Sequence, residues 1–249
     1  KNIKTYRAQV GKILSLKKIE FKFNSRWLAK LRFEEIALLA EGFTVQQLSH
    51  RRNFSDRLEK GEEISLREFL YPLMQGYDSV VVKADVEIGG FDQLFNLKAG
   101  RVIQKRYGLP EQDIMTSTML VGTDGRKMSS SWGNIISLLD TPNDMYGKVM
   151  SLRDDLIPTY ASLCALTPKE EVDRIKKELA TGTNPRDLKM SLARKIVALY
   201  HGEKKALASE KNFKDVFQNK KEPEDTLVVK VKPQTLLRDV CLSGNIISS

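Results

Sequence analysis

The 249-residue sequence is poor in cysteine and histidine, with two of each. The cysteines, Cys164 and Cys241, stand far apart and outside any Cys-x-x-Cys pattern, so they indicate neither a disulfide framework nor a zinc site. No run of 18 or more apolar residues occurs, and residues 1–12 lack the apolar stretch of a secretory signal. We therefore expect a cytoplasmic protein with no tightly bound metal and no membrane partner.

Positive charge is in excess, with 41 Lys and Arg against 32 Asp and Glu and a net charge of +9. This excess favours a polyanionic partner such as RNA, although many basic proteins bind none. With 41% apolar residues, the chain can bury the core of one large or two modest domains. No initiator Met is present and the opening residues read as a helix already under way, so we expect a piece of a longer chain.

Local patterns predict several helix starts. Ser65-Leu-Arg-Glu68 fits a capping box, in which the hydroxyl accepts from a free backbone amide and the acid reaches back. Thr167-Pro168 predicts an N-cap at Thr167 followed by a proline at the first helical position. Asn184-Pro185 opens another helix, which Gly202 ends. Because no strand pattern occurs from 168 to 213, we expect a helical domain there.

Residues 84–108 have a different pattern. A short strand at Val86–Ile88, a tight turn at Gly89-Gly90 and a helix from Asp92 to Tyr107 are predicted. Such strand–turn–helix units build parallel sheets, whose ligand crevice lies at the carboxyl ends of the strands. The sequence therefore predicts an α/β fold in this part of the chain.

A first candidate site is Tyr71, Gln75 and Asp78, which fall at i, i+4 and i+7. On a helix these side chains share one face, where they could hold a small polar ligand at several points. The alternative is a polar helix face that points at water, and the periodicity alone does not decide between the two.

A second candidate site is Gly89-Gly90-Phe-Asp92-Gln93. Glycines let the backbone approach a ligand closely, and the helix that follows offers free amide groups to a nucleotide. The carboxylate of Asp92 can accept two hydrogen bonds from ribose hydroxyls. The alternative is a simple tight turn with Asp92 as N-cap.

The third candidate site is the loop from Asp124 to Ser131, with the sequence Asp-Gly-Arg-Lys-Met-Ser-Ser-Ser. A cation beside hydroxyls and backbone amides can grip phosphate oxygens. If a carboxylate attacks the α-phosphate of ATP, negative charge moves toward the departing pyrophosphate, and a mobile ammonium at Lys127 stabilises it. A solvent-exposed serine-rich loop or a phosphorylation site is the alternative.

Three motifs in order, Tyr-x3-Gln-x2-Asp, Gly-Gly-x-Asp-Gln and Lys-Met-Ser-x-Ser, resemble those of the class I tyrosyl-tRNA synthetases. The flanking stretches Phe23–Trp27, Arg52–Arg57 and Asp92–Leu97 resemble the bacterial branch. The resemblance implies part of a Rossmann-like parallel-sheet catalytic domain, then an all-helical domain and the start of an S4-like module. The expected limits are 1–118 for the catalytic part, 119–150 for the phosphate-binding loop and linker, 151–225 for the helical domain at the anticodon stem, and 226–249 for the incomplete S4-like module.

The resemblance also implies a role for each matching residue. Tyr71 and Gln75 would contact the α-amino group of L-tyrosine, and Asp78 would accept a hydrogen bond from its phenolic hydroxyl. Gln93 would lie near the substrate carboxylate. Lys127 would be the catalytic residue and bind the leaving phosphates. The residues expected to bind ATP, which would act with Mg²⁺, are Gly89, Gly90, Asp92, Lys127, Met128, Ser129, Ser130 and Ser131.

The sequence departs from the family pattern in two ways. Ser130 stands where many members have a second lysine, so pyrophosphate contacts would rest mainly on Lys127. The His-x-Gly-His signature is absent, since the only histidines are His50 and His201. The half of the fold that carries it would precede Lys1 in a complete enzyme, and we expect the chain alone to be inactive or nearly so.

The implied partners are tRNA(Tyr) and a second copy of the protein, in a homodimer. Basic residues of the helical domain could serve tRNA phosphates, although most charged helix residues only face solvent. They are Arg174, Lys176, Lys177, Arg186, Lys189, Arg194 and Lys195. Two alternatives stay open, a tryptophanyl-tRNA synthetase relative and a synthetase-derived RNA-binding protein without catalysis.

Overall fold

A computed structural model of the chain describes residues 2–129, 132–217, 219 and 236. The chain divides into two compact units, the sheet unit of residues 17–119 and the helical unit, which joins residues 120–249 to residues 1–16. The four domain limits given above stay a prediction. The predicted S4-like start at 226–249 lies outside the described residues, apart from residue 236.

Helices make up most of the described residues. The helical unit begins with α1 (Asn2–Val10). The sheet unit contains α2 (Ser25–Leu28), α3 (Phe33–Ala40), α4 (Val45–Ser49), α5 (Arg52–Glu59), α6 (Leu66–Val82), β1 (Val86–Gly90), α7 (Leu94–Arg106) and β2 (Asp113–Ser117). The helical unit continues with α8 (Pro142–Met150), α9 (Ile157–Leu163), α10 (Lys169–Ala180), α11 (Pro185–His201) and α12 (Glu203–Phe217).

The sheet unit has the parallel pairing predicted for an α/β fold. β1 and β2 pair in parallel, with Val86 opposite Asp113 and Gly90 opposite Ser117. Parallel neighbours require a crossover, which α7 provides. Both strands therefore end at the same edge of the sheet. Asp92 and Gln93 lie just after the end of β1 at Gly90.

The tight turn predicted at Gly89-Gly90 is wrong. Both glycines belong to β1, and Gly90 is extended, with φ −67° and ψ 157°. A short 3-10 helix at Phe91–Gln93 follows, so α7 begins at Leu94 instead of Asp92. Gly89 allows close packing, because a Cβ atom there would lie 3.3 Å from Gln93 Cβ.

Helix α6 begins as the capping box predicts. The Ser65 hydroxyl accepts from the Arg67 amide at 3.3 Å, and a Glu68 carboxylate oxygen accepts from the Ser65 amide at 3.1 Å. The helix then packs closely on α7, because Gly76 and Gly100 carry no side chain at the contact. A Cβ atom on Gly100 would lie 2.5 Å from Ser79 Oγ.

The helical content predicted for residues 168–213 from the missing strand pattern is confirmed. The core of the helical unit is formed by side chains of α8, α9 and α11, including Tyr146, Val149, Tyr160, Ala193 and Val197. Within the described residues, no helix has the length and apolar character needed to cross a membrane.

One predicted helix start in this unit is confirmed and one is wrong. Asn184 caps α11 by accepting from the Arg186 amide at 3.0 Å, and Gly202 ends it with φ 89°. Helix α10 instead begins at Lys169 with Pro168 as N-cap. Thr167 is not the cap, because its hydroxyl has no hydrogen-bond partner among the described residues. Its amide instead donates to Ala161 O at 3.0 Å and closes the turn after α9.

Candidate active site

The structure brings Tyr71, Gln75 and Asp78 onto one face of α6, as their spacing predicts. Tyr71 is largely exposed, while Gln75 and Asp78 are half-buried. The three polar groups therefore lie along a stripe that is open to solvent at the Tyr71 end.

The carboxylate of Asp78 is held by two neutral donors. Trp27 Nε1 donates to Oδ1 at 2.7 Å, and Asn24 Nδ2 donates to Oδ2 at 3.2 Å. Each carboxylate oxygen can accept more than one hydrogen bond, so Asp78 is fixed in place and can still accept from a ligand. Asn24 and Trp27 stand in the Phe23–Trp27 stretch, whose resemblance to the family was the only signal in the sequence for a role at this site.

Gln75 and Gln93 are joined by a side chain that sequence reasoning missed. Asn96 Nδ2 donates to Gln75 Oε1 at 2.9 Å and to Gln93 Oε1 at 3.0 Å, and Asn96 is only 2% exposed. Arg51 Nη2 donates to Asn96 Oδ1 at 3.1 Å. Partial burial lowers the pKa of Arg51 from its ordinary value, but the guanidinium remains charged at neutral pH.

The carboxyl ends of the two strands form an open crevice. Phe91 and residues 116–119 line a pocket of about 420 Å³ there. Asp92 is exposed beside it and accepts from Gln93 Nε2 at 3.2 Å. A crevice at this edge of a parallel sheet is the usual ligand position in α/β folds.

The loop predicted to bind phosphate is a short hairpin in the helical unit. Val121 and Lys127 form an antiparallel bridge, and the Gly122 amide donates to Arg126 O at 2.7 Å. Lys127 is exposed and forms no ion pair with any residue that the structure describes. Ser130 and Ser131 lie outside the described residues.

Asn134 holds this hairpin together and was also missed. Its Oδ1 accepts from the Ser129 amide at 2.8 Å, and its Nδ2 donates to Asp124 Oδ1 at 2.9 Å and to Lys127 O at 3.1 Å. The pKa of Asp124 is lowered to about 2, chiefly by the hydrogen bond from Asn134 Nδ2 and next by a hydrogen bond from the Arg126 backbone amide. A single asparagine three residues after a serine run carries no sequence pattern that would reveal this role.

Asp124 also engages the other cation of the loop. Arg126 donates from Nε to Asp124 Oδ2 at 2.8 Å, and its guanidinium lies 4.9 Å from the ring centre of Trp132. Of the two adjacent cations, Arg126 is thus occupied inside the loop while Lys127 is available to a ligand.

The predicted site residues fall into both units. The predicted tyrosine-binding residues, with the glycines and Asp92, lie in the sheet unit, and the loop residues Lys127, Met128 and Ser129 lie in the helical unit. In the described residues, no group of three or more His, Cys, Asp or Glu side chains could hold a metal ion.

Most of the basic helix residues proposed for tRNA are engaged in ion pairs. Five of the seven contact acidic neighbours: Arg174, Lys176, Lys189, Arg194 and Lys195. Lys177 and Arg186 form no ion pair with the described residues. Four of these five side chains are 40–67% exposed, whereas that of Lys189 is 14% exposed. The interpretation that most of these charges only face solvent stays a prediction.

A parallel βαβ unit with an open crevice at its strand ends defines an α/β protein, a class in which ligands bind at this edge of the sheet. The chain belongs to the family of tRNA synthetases class I (W and Y), which matches residues 1–218. The family and fold predicted from the three motifs are confirmed.

The curated relatives include the tyrosine–tRNA ligase of Thermotoga maritima, which is 42% identical over 250 residues that cover 100% of this chain and 62% of that protein. Tyrosine–tRNA ligase 2 of Clostridium acetobutylicum is 44% identical over 98% of this chain and 62% of that protein. The chain thus spans about three fifths of the length of these relatives.

Solved structures share the fold. The tyrosyl-tRNA synthetase of Archaeoglobus fulgidus, solved with L-tyrosine, matches with a TM-score of 0.64 at 22% identity, over 83% of this chain and 73% of that one. The tryptophanyl-tRNA synthetase of Aeropyrum pernix K1 matches with a TM-score of 0.58 at 19% identity, over 89% and 66%. The fold alone therefore does not separate tyrosine from tryptophan.

Proposed function

We propose that the protein is a tyrosine–tRNA ligase, which activates L-tyrosine with ATP and transfers it to the 3′ end of tRNA(Tyr). The observation that carries the proposal is Asp78, held by Trp27 and Asn24 at 2.7 and 3.2 Å with acceptor capacity to spare. A phenolic hydroxyl can donate to this carboxylate, whereas phenylalanine would leave the acceptor without its ligand bond.

The first step joins tyrosine to AMP. A carboxylate oxygen of tyrosine attacks the α-phosphorus of ATP, a new P–O bond forms, and the bond to the bridging oxygen breaks to release pyrophosphate. Tyr71 and Gln75 would orient the α-amino group, Gln93 the carboxylate, and Gly89, Gly90 and Asp92 the adenosine. The protein contributes position and charge, without a covalent intermediate on the enzyme.

Lys127 would stabilise the leaving pyrophosphate. Its ammonium is exposed and not occupied by an acid of the described residues, and the loop that carries it is fixed by Asn134. Ser129, with Met128, Ser130 and Ser131, completes the ATP-binding loop. Mg²⁺ would accompany ATP on its phosphates, which suits an ion that prefers phosphate oxygens and keeps several waters.

The second step transfers the tyrosyl group. A hydroxyl of the terminal ribose of tRNA attacks the carbonyl carbon, the bond to the AMP phosphate oxygen breaks, and AMP leaves as the hydroxyl proton is released to solvent. Lys177 and Arg186, which have no acidic partner in the described residues, are the helix cations most available to tRNA phosphates. We place the reaction in the cytoplasm.

We also propose a homodimer. Large apolar side chains in the sheet unit stay in solvent, with Phe33 87% and Leu66 75% exposed. Exposed apolar surface of this kind favours association with another protein surface. Sedimentation of the complete natural protein at micromolar concentration should give a dimer, and a monomer alone would contradict this part of the proposal.

Tyrosine-dependent ATP–pyrophosphate exchange on the complete natural protein tests the function. We compare the wild type with Asp78→Asn and with Asp56→Asn, which alters an exposed acid of the same unit. The amide introduced at position 78 keeps only one acceptor oxygen, for which Trp27 and the phenol would compete, so exchange should fall about 10- to 100-fold. Asp56→Asn should match the wild type. Exchange with tryptophan in place of tyrosine would favour the tryptophan enzyme, and RNA binding without any exchange would favour the non-catalytic alternative.

A further inference from the structure

Asn96 is a buried side chain whose amide uses both of its N–H donors and its oxygen within the protein. It is 2% exposed, accepts from Arg51 through Oδ1 and donates through Nδ2 to the Oε1 atoms of Gln75 and Gln93. A carboxamide nitrogen has two hydrogens, so these two bonds use both of them. Asn96 is therefore a junction between two elements, the helix that carries Gln75 and the 3-10 helix that carries Gln93.

Arg51 determines which way the Asn96 amide points. A guanidinium can only donate, so Asn96 must present its oxygen to Arg51 and its nitrogen to the glutamines. Arg51 is itself held between two aromatic rings, with its guanidinium carbon 5.1 Å from the ring centre of Phe54 and 4.8 Å from that of Phe95. These cation–π contacts favour one position of the guanidinium.

The orientation of Asn96 in turn sets both glutamines. Each must present Oε1 to Asn96, so the Gln93 amide nitrogen points the other way and donates to Asp92 at 3.2 Å. Gln93 thus offers a donor at its free end. The oxygen of Gln75 keeps one lone pair for a further donor.

This pattern matches the two charged ends of an amino acid. An α-ammonium group needs an acceptor, and an α-carboxylate needs a donor. With the reverse orientation of Asn96, both glutamines would turn their amide nitrogens toward it, and the Gln93 donor would no longer face the carboxylate.

We propose that Arg51 and Asn96 are positioning residues that fix the polarity of Gln75 and Gln93, so that the site accepts from an α-ammonium group and donates to an α-carboxylate. Neither residue needs to touch the substrate. The inference rests on the proposed function, since it assigns Gln75 and Gln93 to the backbone end of tyrosine.

The test is Asn96→Asp in the complete natural protein. The carboxylate would keep the bond to Arg51 and nearly the same volume, but it offers only acceptors to Gln75 and Gln93, which would then reverse. Equilibrium binding is measured for L-tyrosine, for tyramine, which lacks the carboxylate, and for 3-(4-hydroxyphenyl)propionate, which lacks the ammonium group. The preference for tyrosine over each analogue should shrink about tenfold or more.

If Asn96 contributed only to stability, Asn96→Asp would give a different result. The variant would weaken the binding of all three ligands alike and leave the preference intact. Gln104→Glu is the matched control, because it makes the same amide-to-acid change at a side chain of α7 that is 1% exposed and contacts neither Gln75 nor Gln93. It should lower stability and leave the preference unchanged. Arg51→Met should reduce the preference, and Arg51→Lys, which keeps a charged donor, should restore most of it.

The outcomes separate the two proposals. A wild type that does not bind tyrosine overturns the proposed function and this inference with it. A wild type that binds tyrosine, with an unchanged preference in Asn96→Asp, overturns the inference alone. A reduced preference in Asn96→Asp, together with a wild-type preference in Gln104→Glu, supports the inference.

Discussion

The indole N–H of Trp27 donates to Asp78 Oδ1 at 2.7 Å and fixes the carboxylate proposed to read the substrate hydroxyl. Trp27→Phe keeps most of the ring but removes this donor. A hydrogen bond to a charged group contributes about 1.5–3 kcal/mol, so we expect tyrosine affinity to fall by up to that amount. Isothermal titration of the complete protein measures the change. Trp132→Phe, which alters a tryptophan beside the loop predicted to bind phosphate, should leave the affinity for tyrosine as it is, and equal losses in both variants would contradict the prediction.

The adjacent cations Arg126 and Lys127 should differ in their effect on the rate. Arg126 is occupied by Asp124 and Trp132, whereas Lys127 is exposed. Removing a group that stabilises developing charge costs on the order of 100-fold in kcat, which we expect for Lys127→Ala with little change in the KM for tyrosine. Arg126→Ala should have a much smaller effect. Pyrophosphate exchange rates at saturating ATP measure both, and a similar loss in the two variants would argue against a special role for Lys127.

Local features of the fold were predictable from the sequence, and long-range contacts were not. The stripe of Tyr71, Gln75 and Asp78 follows from helical periodicity, and the start of α6 follows from a capping box within four residues. The hydrogen bond from Asn96 to Gln75 depends on how closely α6 and α7 approach each other. Glycines on both helices set that distance. Nothing in the sequence around Asn96 reveals that approach.

The error at Gly89-Gly90 has a similar cause. Two adjacent glycines are typical of a turn, and locally nothing contradicts that prediction. In the structure, pairing with Thr116 and Ser117 extends β1 through both glycines, so a tertiary interaction overrides the local preference. The functional consequence is small, because the strand still ends beside Asp92.

The low pKa of Asp124 makes the stability of the helical unit depend on pH. The folded pKa, about 2, lies below the ordinary value of 3.8, so the ionised carboxylate stabilises the fold above pH 4. This contribution is lost as the pH falls from 4 through 2. Since the bond from Asn134 is the largest single cause, Asn134→Leu should raise the pKa of Asp124. A carboxyl NMR titration measures this pKa, and an unchanged value would refute the assignment of the cause.

Alanine substitutions at two helical glycines should have opposite effects on stability. The first, Gly76, lies where α6 packs closely on α7. A Cβ atom on Gly76 would lie 2.7 Å from Ile103 Cδ1 and 3.1 Å from the carbonyl carbon of Ala99. Ile103 is fully buried and the Ala99 backbone cannot move aside, so Gly76→Ala should destabilise the sheet unit by about 1–3 kcal/mol through overpacking.

Gly147, in the interior of α8, is the matched control for that substitution. No atom lies within 4 Å of the position where a Cβ atom would be added, so Gly147→Ala should stabilise its helix by about 0.5–1 kcal/mol through the higher helix propensity of alanine. Urea denaturation followed by circular dichroism measures both variants. If Gly76→Ala were as stable as the wild type, α6 and α7 would lie farther apart than the structure shows. The link from Gln75 through Asn96 to Gln93 would then lose its basis, because it depends on the same approach of the two helices.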